Sequence, residues 1–339
     1  MSTTYDFIAQ NKRRTWLLVL LFPITFALLG YLFLLGYSYV DKGIAASSEQ
    51  GYYQTDEEGY SSDITPFEQA NILALAALPI LWGIAMLWML ISYYAGDKML
   101  LSGAGAIPIS KSQQPEIYRL VENLCISVGL PLPRIYIIND ESLNAFATGR
   151  DPEHASVALT TGIVKRLERA ELEGVIAHEL SHIKNRDIRT MLIAVAGISF
   201  FTFLAELCFR AALRSGRSSR GKNDSGGRLV LFVLGIFFAL YGYLIAPLIR
   251  LAISRTREYQ ADAPRALMTR NPEGLARALE KISADPRVEA LDAHASMAAM
   301  CIANPLSKMG LFAELAGLFS THPPTEKRIA KLRAMNEIK

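Results

Sequence analysis

Residues 16–37 and 72–94 are each apolar over about the 20 residues that a helix needs to cross a bilayer, and this limits the fold before anything else does. A backbone inside hydrocarbon must satisfy its own hydrogen bonds, so both runs have to be helical. Trp16, Tyr37 and Tyr94 stand near their ends, where aromatic residues anchor at the lipid–water boundary. The composition agrees: 51% hydrophobic and only 20% charged residues is not the balance of a soluble protein. Lys12, Arg13 and Arg14 precede the first run, which is longer than the core of a signal peptide. "GIAAS" at 43–47 is a candidate cleavage site, but an uncleaved anchor is the expectation. The connecting stretch 38–71 holds seven acids against Lys42 alone. With the basic N-terminus inside, that loop lies outside and the chain after Tyr94 returns to the cytoplasm.

Two further apolar runs, 191–213 and 229–252, are interrupted. The first carries Glu206 and Arg210, spaced to pair on one helix face, and the second carries Pro247 and Arg250. Between them "RSGRSSRGKNDSGGR" is a flexible loop with five basic residues and one acid. Both runs are expected to cross, which puts this loop outside against the positive-inside tendency. The net charge of +3 is small and scattered, which excludes a nucleic-acid partner. Cys125, Cys208 and Cys301 lie far apart, so neither a cysteine metal cage nor a disulfide framework is available.

The remaining chain, 98–190 and 254–339, reads as the soluble part. "PEIYRLVENLCISVGL" has helical periodicity and stops at Gly129, while "RIYIIND", "SVALTTG" and "NAFATGR" read as short strands. "RAELEGVIAHELSHIKNRD" places Leu172, Val175, Ile176 and Leu180 on one helix face, and after Ser254 only helices are expected. The fold class is therefore α+β but mostly α, with membrane-embedded helices and a catalytic part containing a small sheet. The division is 1–97 as an N-terminal membrane hairpin, 98–190 as the first catalytic segment, 191–253 as a second hairpin and 254–339 as the second catalytic segment.

Within the long helix, His178 and His182 are four residues apart and can aim two imidazoles at one ion. Glu179 lies beside them, near enough to reach water on that ion without binding it. This is the H-E-x-x-H arrangement of two zinc ligands and a general base. A catalytic zinc needs a third protein ligand. Of the five histidines, His154 and His294 read as surface residues. The better source is "SRTREYQAD", 254–262, where Glu258 could ligate and Asp262, one turn on, could accept the spare N–H of a ligand histidine. Two apolar runs separate His178 from Glu258, an even number of crossings, so both lie on one side of the membrane.

"HELSHIKNRD", "SRTREYQAD" and "THPPTEKRI", in that order, resemble the HtpX-like membrane metalloproteases, zinc endopeptidases of gluzincin type related to the CAAX prenyl endopeptidases. "NAFATG" and "VALTTGIVKRL" resemble the same family, and the likeness covers nearly the whole chain. It implies one Zn2+ per subunit held by His178, His182 and Glu258, with Glu179 as the base and Asp262 behind a ligand histidine. It implies that Asn144, Ala145 and Phe146 belong to an edge strand that a substrate peptide extends. His322, followed by Arg328, matches a family motif near the cleft and would steady the developing oxyanion, or serve only as a structural turn. Glu168 departs from the family, whose members tend to have Ser or Thr capping the active helix. The implied activity is hydrolysis of membrane proteins in quality control under stress, at the cytoplasmic face of a bacterial inner membrane. A catalytically inactive membrane chaperone with a vestigial zinc site is the alternative. A prenylated-peptide substrate would call for more membrane spans than four.

Overall fold

The computed structural model describes residues 4–49, 66–218, 225–252, 271–284, 301–302 and 325–336. They fall into two compact units, one of residues Trp16–Leu90 and one of Ile91 onward together with the N-terminal residues up to Thr15.

The first unit is built from most of α1 (Thr4–Glu49) and most of α2 (Pro66–Gly103). The apolar stretches Thr15–Gly36 and Ala74–Gly103 are long enough to cross a membrane, as their sequence predicts. Tyr31 on α1 donates its hydroxyl to the Asn71 side chain on α2 at 2.6 Å, a polar tie between two otherwise apolar surfaces. Helix persists beyond the expected spans at both ends. Residues 38–49 continue α1, because nothing from Tyr37 to Glu49 breaks a helix except an isolated Gly43.

In the second unit α2 runs on past Tyr94 to Gly103 and carries Asp97 to Arg134, 2.6 Å away. There follow β1 (Ala106–Pro108), α3 (Pro115–Val128), β2 (Arg134–Ile138), β3 (Ala145–Gly149), a 3-10 turn at Pro152–His154, and β4 (Ala155–Thr160). Proline opens α3 and Gly129 closes it at φ 68, the left-handed value that residues with a Cβ avoid. The four strands form one mixed sheet in the order β1-β2-β4-β3. β2 and β4 are parallel, and the outer pairs β1–β2 and β3–β4 are antiparallel. All three predicted strands are present. β1, at three residues, is too short to show an alternating pattern.

Next come α4 (Thr161–Arg166), α5 (Arg169–Lys184), α6 (Asp187–Ser218), α7 (Ser225–Ala252), α8 (Pro272–Ala284) and α9 (Thr325–Asn336). Leu172, Val175, Ile176, Leu180 and Ile183 of α5 enter one core with Ile117, Leu120 and Val121 of α3 and Leu275 and Leu279 of α8. Burying each large aliphatic side chain contributes about 1.5–3 kcal/mol, so α5 is fixed against both helices. Its contact with α8 needs Gly174: a Cβ there would stand 2.9 Å from the backbone of Leu275. α6 and α7 form an antiparallel pair through Phe201–Tyr241 and Phe209–Phe232 ring contacts at 4.4 and 5.3 Å. α6 is long and apolar enough to cross a membrane over Asp187–Arg214; in α7 the stretch of this kind among the described residues is the shorter Arg228–Gly242.

Candidate active site

The site is built on the second half of α5. The helix begins after its N-cap, Glu168, and Glu171 accepts the Glu168 backbone N–H at 2.9 Å, the returning arm of a capping box. The same carboxylate, 1% exposed, takes Lys281 from α8 at 2.7 Å. Two elements distant in sequence are thus locked at the start of the helix that carries His178 and His182.

His178, Glu179 and His182 are all buried on α5. The Nε2 atoms of His178 and His182 are 3.3 Å apart, with ring planes at 85°. Two nitrogens each held about 2.0–2.1 Å from one tetrahedral zinc stand about 3.4 Å apart, so the pair is already spaced to share an ion. His182 Nδ1 lies 3.2 Å from the carboxylate of Asp187, both side chains being largely shielded. A carboxylate behind the second ring nitrogen holds the N–H there and leaves the Nε2 lone pair facing the site. Arg328, from α9, approaches His178 with one guanidinium nitrogen 3.2 Å from Nδ1 and 3.3 Å from Nε2, and points another at the Ile302 carbonyl at 3.4 Å. That nitrogen is nearly equidistant from the two ring nitrogens, so it lies beside the imidazole and on the lone-pair line of neither.

Cys301 is buried against this cluster. Burial pushes its thiol up, and the carboxylates of Glu179 and Asp140 push it in the same direction. Ile302 donates its backbone N–H to Ala145 O at 3.1 Å, across the outer edge of β3. Of the expected edge-strand residues, Asn144 faces inward, its backbone and that of Thr160 bonded at 3.1 Å, while its side chain caps Ala145 N at 3.0 Å. Phe146 pairs with Ala158 and is buried. By the alternation of an antiparallel pair, Ala147 presents its N–H and C=O to the same outer edge as Ala145.

His154 is half exposed and bonded to Asp151 at 2.6 Å, a surface residue as its setting suggests. Glu258, Asp262, His294 and His322 lie outside the described residues. Among the described residues no three His, Cys, Asp or Glu side chains gather as a metal cluster, and the two histidines stand as a pair. Sequence reasoning passed over Asp187, Glu171 and the contact of Arg328 with His178. Only Asp187 had a local signal, an acid five residues after a ligand candidate.

The chain belongs to peptidase family M48, whose model matches residues 111–336. It is 38% identical over 325 residues to a protease HtpX homolog of Bacteroides fragilis, covering 96% of both chains. It is 36% identical over 334 residues to another of Thermoanaerobacter pseudethanolicus, covering 98% of both. Among solved structures it is similar to S. mikatae Ste24p, at 20% identity and a TM-score of 0.41, covering 77% of this chain and 65% of that one. The protein is an integral-membrane metallopeptidase, mostly helical, with one small mixed sheet.

Proposed function

We propose that this chain is a zinc-dependent endopeptidase that cuts exposed segments of membrane proteins at the cytoplasmic face of a bacterial inner membrane, in membrane-protein quality control. The observation that carries the reading is the 3.3 Å separation of His178 Nε2 and His182 Nε2 beside a buried Glu179 on the same helix. That spacing and donor set fit zinc. His178 and His182 would hold the ion with Glu258 of the "SRTREYQAD" motif, and Asp262 and Asp187 would stand behind ligand histidines.

Bound zinc supplies Lewis-acid polarisation of the scissile carbonyl and a water of lowered pKa. The chain's own groups do the rest. Glu179 removes the proton from the attacking water and passes it to the leaving amine nitrogen, so no residue becomes covalently attached. Asp187 holds the His182 ring in one tautomer throughout. The substrate strand adds to the outer edge of β3, pairing with Ala147, because Ala145 O already accepts from Ile302. His322 and Arg328, which follow one another in the C-terminal motif, supply donors towards the carbonyl oxygen.

Glu179→Gln tests the reading. The variant keeps its shape and its zinc, while cleavage of a membrane-protein reporter by detergent-solubilised protein falls by orders of magnitude. Cleavage at the wild-type rate would overturn the assignment of the base.

A further inference from the structure

Glu206 and Arg210 form an ion pair on α6, inside a run that is otherwise apolar. Charged side chains within a membrane helix are expensive and almost always face protein, water or a polar ligand. These two face none of the described protein. Ala205, Cys208 and Ala212 make the buried stripe of α6, while Phe203, Glu206, Leu207, Arg210 and Arg214 make the opposite one and are exposed or nearly so. That outer stripe lines a groove of about 250 Å³.

Its depth follows from helix geometry. From Arg189, at the catalytic end of α6, to Arg210 is 21 residues, or about 31 Å at 1.5 Å each, close to the ~30 Å of bilayer hydrocarbon. Arg210 therefore reaches the far boundary and Arg214 passes it by one turn. The ring contacts give the register of the partner helix. Moving from Phe201 to Phe209 on α6 is matched by moving back from Tyr241 to Phe232 on α7. Arg214 is then level with Arg228, within about a residue. Among the described side chains, three guanidiniums and one carboxylate leave two positive charges in excess towards the far rim, above a groove walled by Phe203, Leu207 and Ala211.

We infer that the outer face of α6 binds an anionic phospholipid of the leaflet opposite the active site, its phosphate at Arg210 and Arg214 and its acyl chain along Phe203 and Leu207. Glu206, one turn nearer the membrane centre, pairs with Arg210 and offsets one of the positive charges there. Neither the peptidase chemistry nor the reading of its substrates enters this inference.

Native mass spectrometry of the full chain in mild detergent, titrated separately with phosphatidylglycerol and phosphatidylcholine, tests it. Wild type should prefer phosphatidylglycerol by about 25-fold, at roughly fivefold for each basic residue near an anionic phosphate. Arg210→Gln/Arg214→Gln should bring the two lipids to near equality and still cleave a reporter. Arg210→Lys/Arg214→Lys should retain most of the preference, and Lys165→Gln on the soluble part should change nothing. Inorganic phosphate should fail to displace phosphatidylglycerol, since it lacks the acyl chain. An unchanged preference in the Gln double variant overturns the site, and so does displacement by inorganic phosphate. A wild-type dimer that the Gln variant splits into monomers would also overturn it, because a second copy would then cover this face.

Discussion

The Glu171–Lys281 pair is asymmetric, and that asymmetry predicts which partner is the more costly to remove. Glu171 is 1% exposed, whereas Lys281 is 41% exposed at 2.7 Å from it. Lys281→Met keeps the aliphatic stem but leaves a buried carboxylate with the Glu168 N–H, 2.9 Å away, as its remaining hydrogen-bond partner among the described residues. Losing one partner of a fully buried pair costs about 3–5 kcal/mol. Discounting for the exposed side of this pair gives about 2–3 kcal/mol. Glu171→Gln keeps an oxygen for the Glu168 N–H and releases Lys281 to water, so about 1 kcal/mol or less is lost. The double variant should cost about 1 kcal/mol, not the 3–4 of simple addition, a coupling of about 2 kcal/mol. Thermal unfolding of the detergent-solubilised chain, followed by circular dichroism, reads this directly. At about 2–4 °C per kcal/mol for a domain of 150–250 residues, Lys281→Met should lower Tm by roughly 4–12 °C and Glu171→Gln by less than about 4 °C. Acidification should narrow the gap, because protonating the stranded carboxylate removes the penalty. If Glu171→Gln proves as damaging as Lys281→Met, or the two losses add, the reasoning from burial is wrong.

Gly174→Ala should destabilise by about 1–3 kcal/mol, since the new methyl meets Leu275 backbone at 2.9 Å and must push α8 off the active helix; an unchanged denaturant midpoint would refute that packing. Asp187→Ala should weaken zinc retention by about 10–100-fold in a chelator competition while leaving Tm within about 1–2 °C, because the carboxylate acts through His182; equal retention would remove it from the site. Cys125 has its thiol raised by burial from 9.0 to about 11, so the folded state favours the protonated form. The stability that this represents is complete below pH 9.0 and is lost as pH climbs from there towards 11, and Cys125→Ala should flatten that fall. At pH 8 iodoacetamide should leave Cys125 unmodified in the folded chain and label it after denaturation, and rapid labelling of folded protein would contradict the burial.

The features legible in the sequence were those carried by a local pattern. A spacing of four placed His178 and His182 together, short runs closed by turn residues gave β2, β3 and β4, and apolar length gave the three long membrane candidates. What escaped depends on one element meeting another. The hold of Glu171 on Lys281 joins positions 110 residues apart, and the approach of Arg328 to His178 joins positions 150 apart. No local pattern announces either. The same reason hides the proposed third ligand from any reading of the helix alone: "HELSH" offers two candidate donors and says nothing of where a third would come from.

Asp187 shows how small the hidden determinant can be. Were α5 to continue unbroken, a residue five beyond His182 would lie about 140° further round the helix, on the face away from the imidazole. Arg186 prevents this by adopting φ 58, a left-handed turn between the C-cap Asn185 and the first residue of α6. For a residue with a Cβ that conformation costs roughly 1–2 kcal/mol, and neither glycine nor proline marks it in "KNRD". The turn does two things at once. It swings the Asp187 carboxylate back to His182 Nδ1, and it sends α6 off in a new direction from the catalytic helix. A conformational cost at one residue thus couples the orientation of His182 to the departure of the apolar helix. That coupling is why the helix that carries His178 and His182 and the long apolar helix can adjoin with only two residues between them.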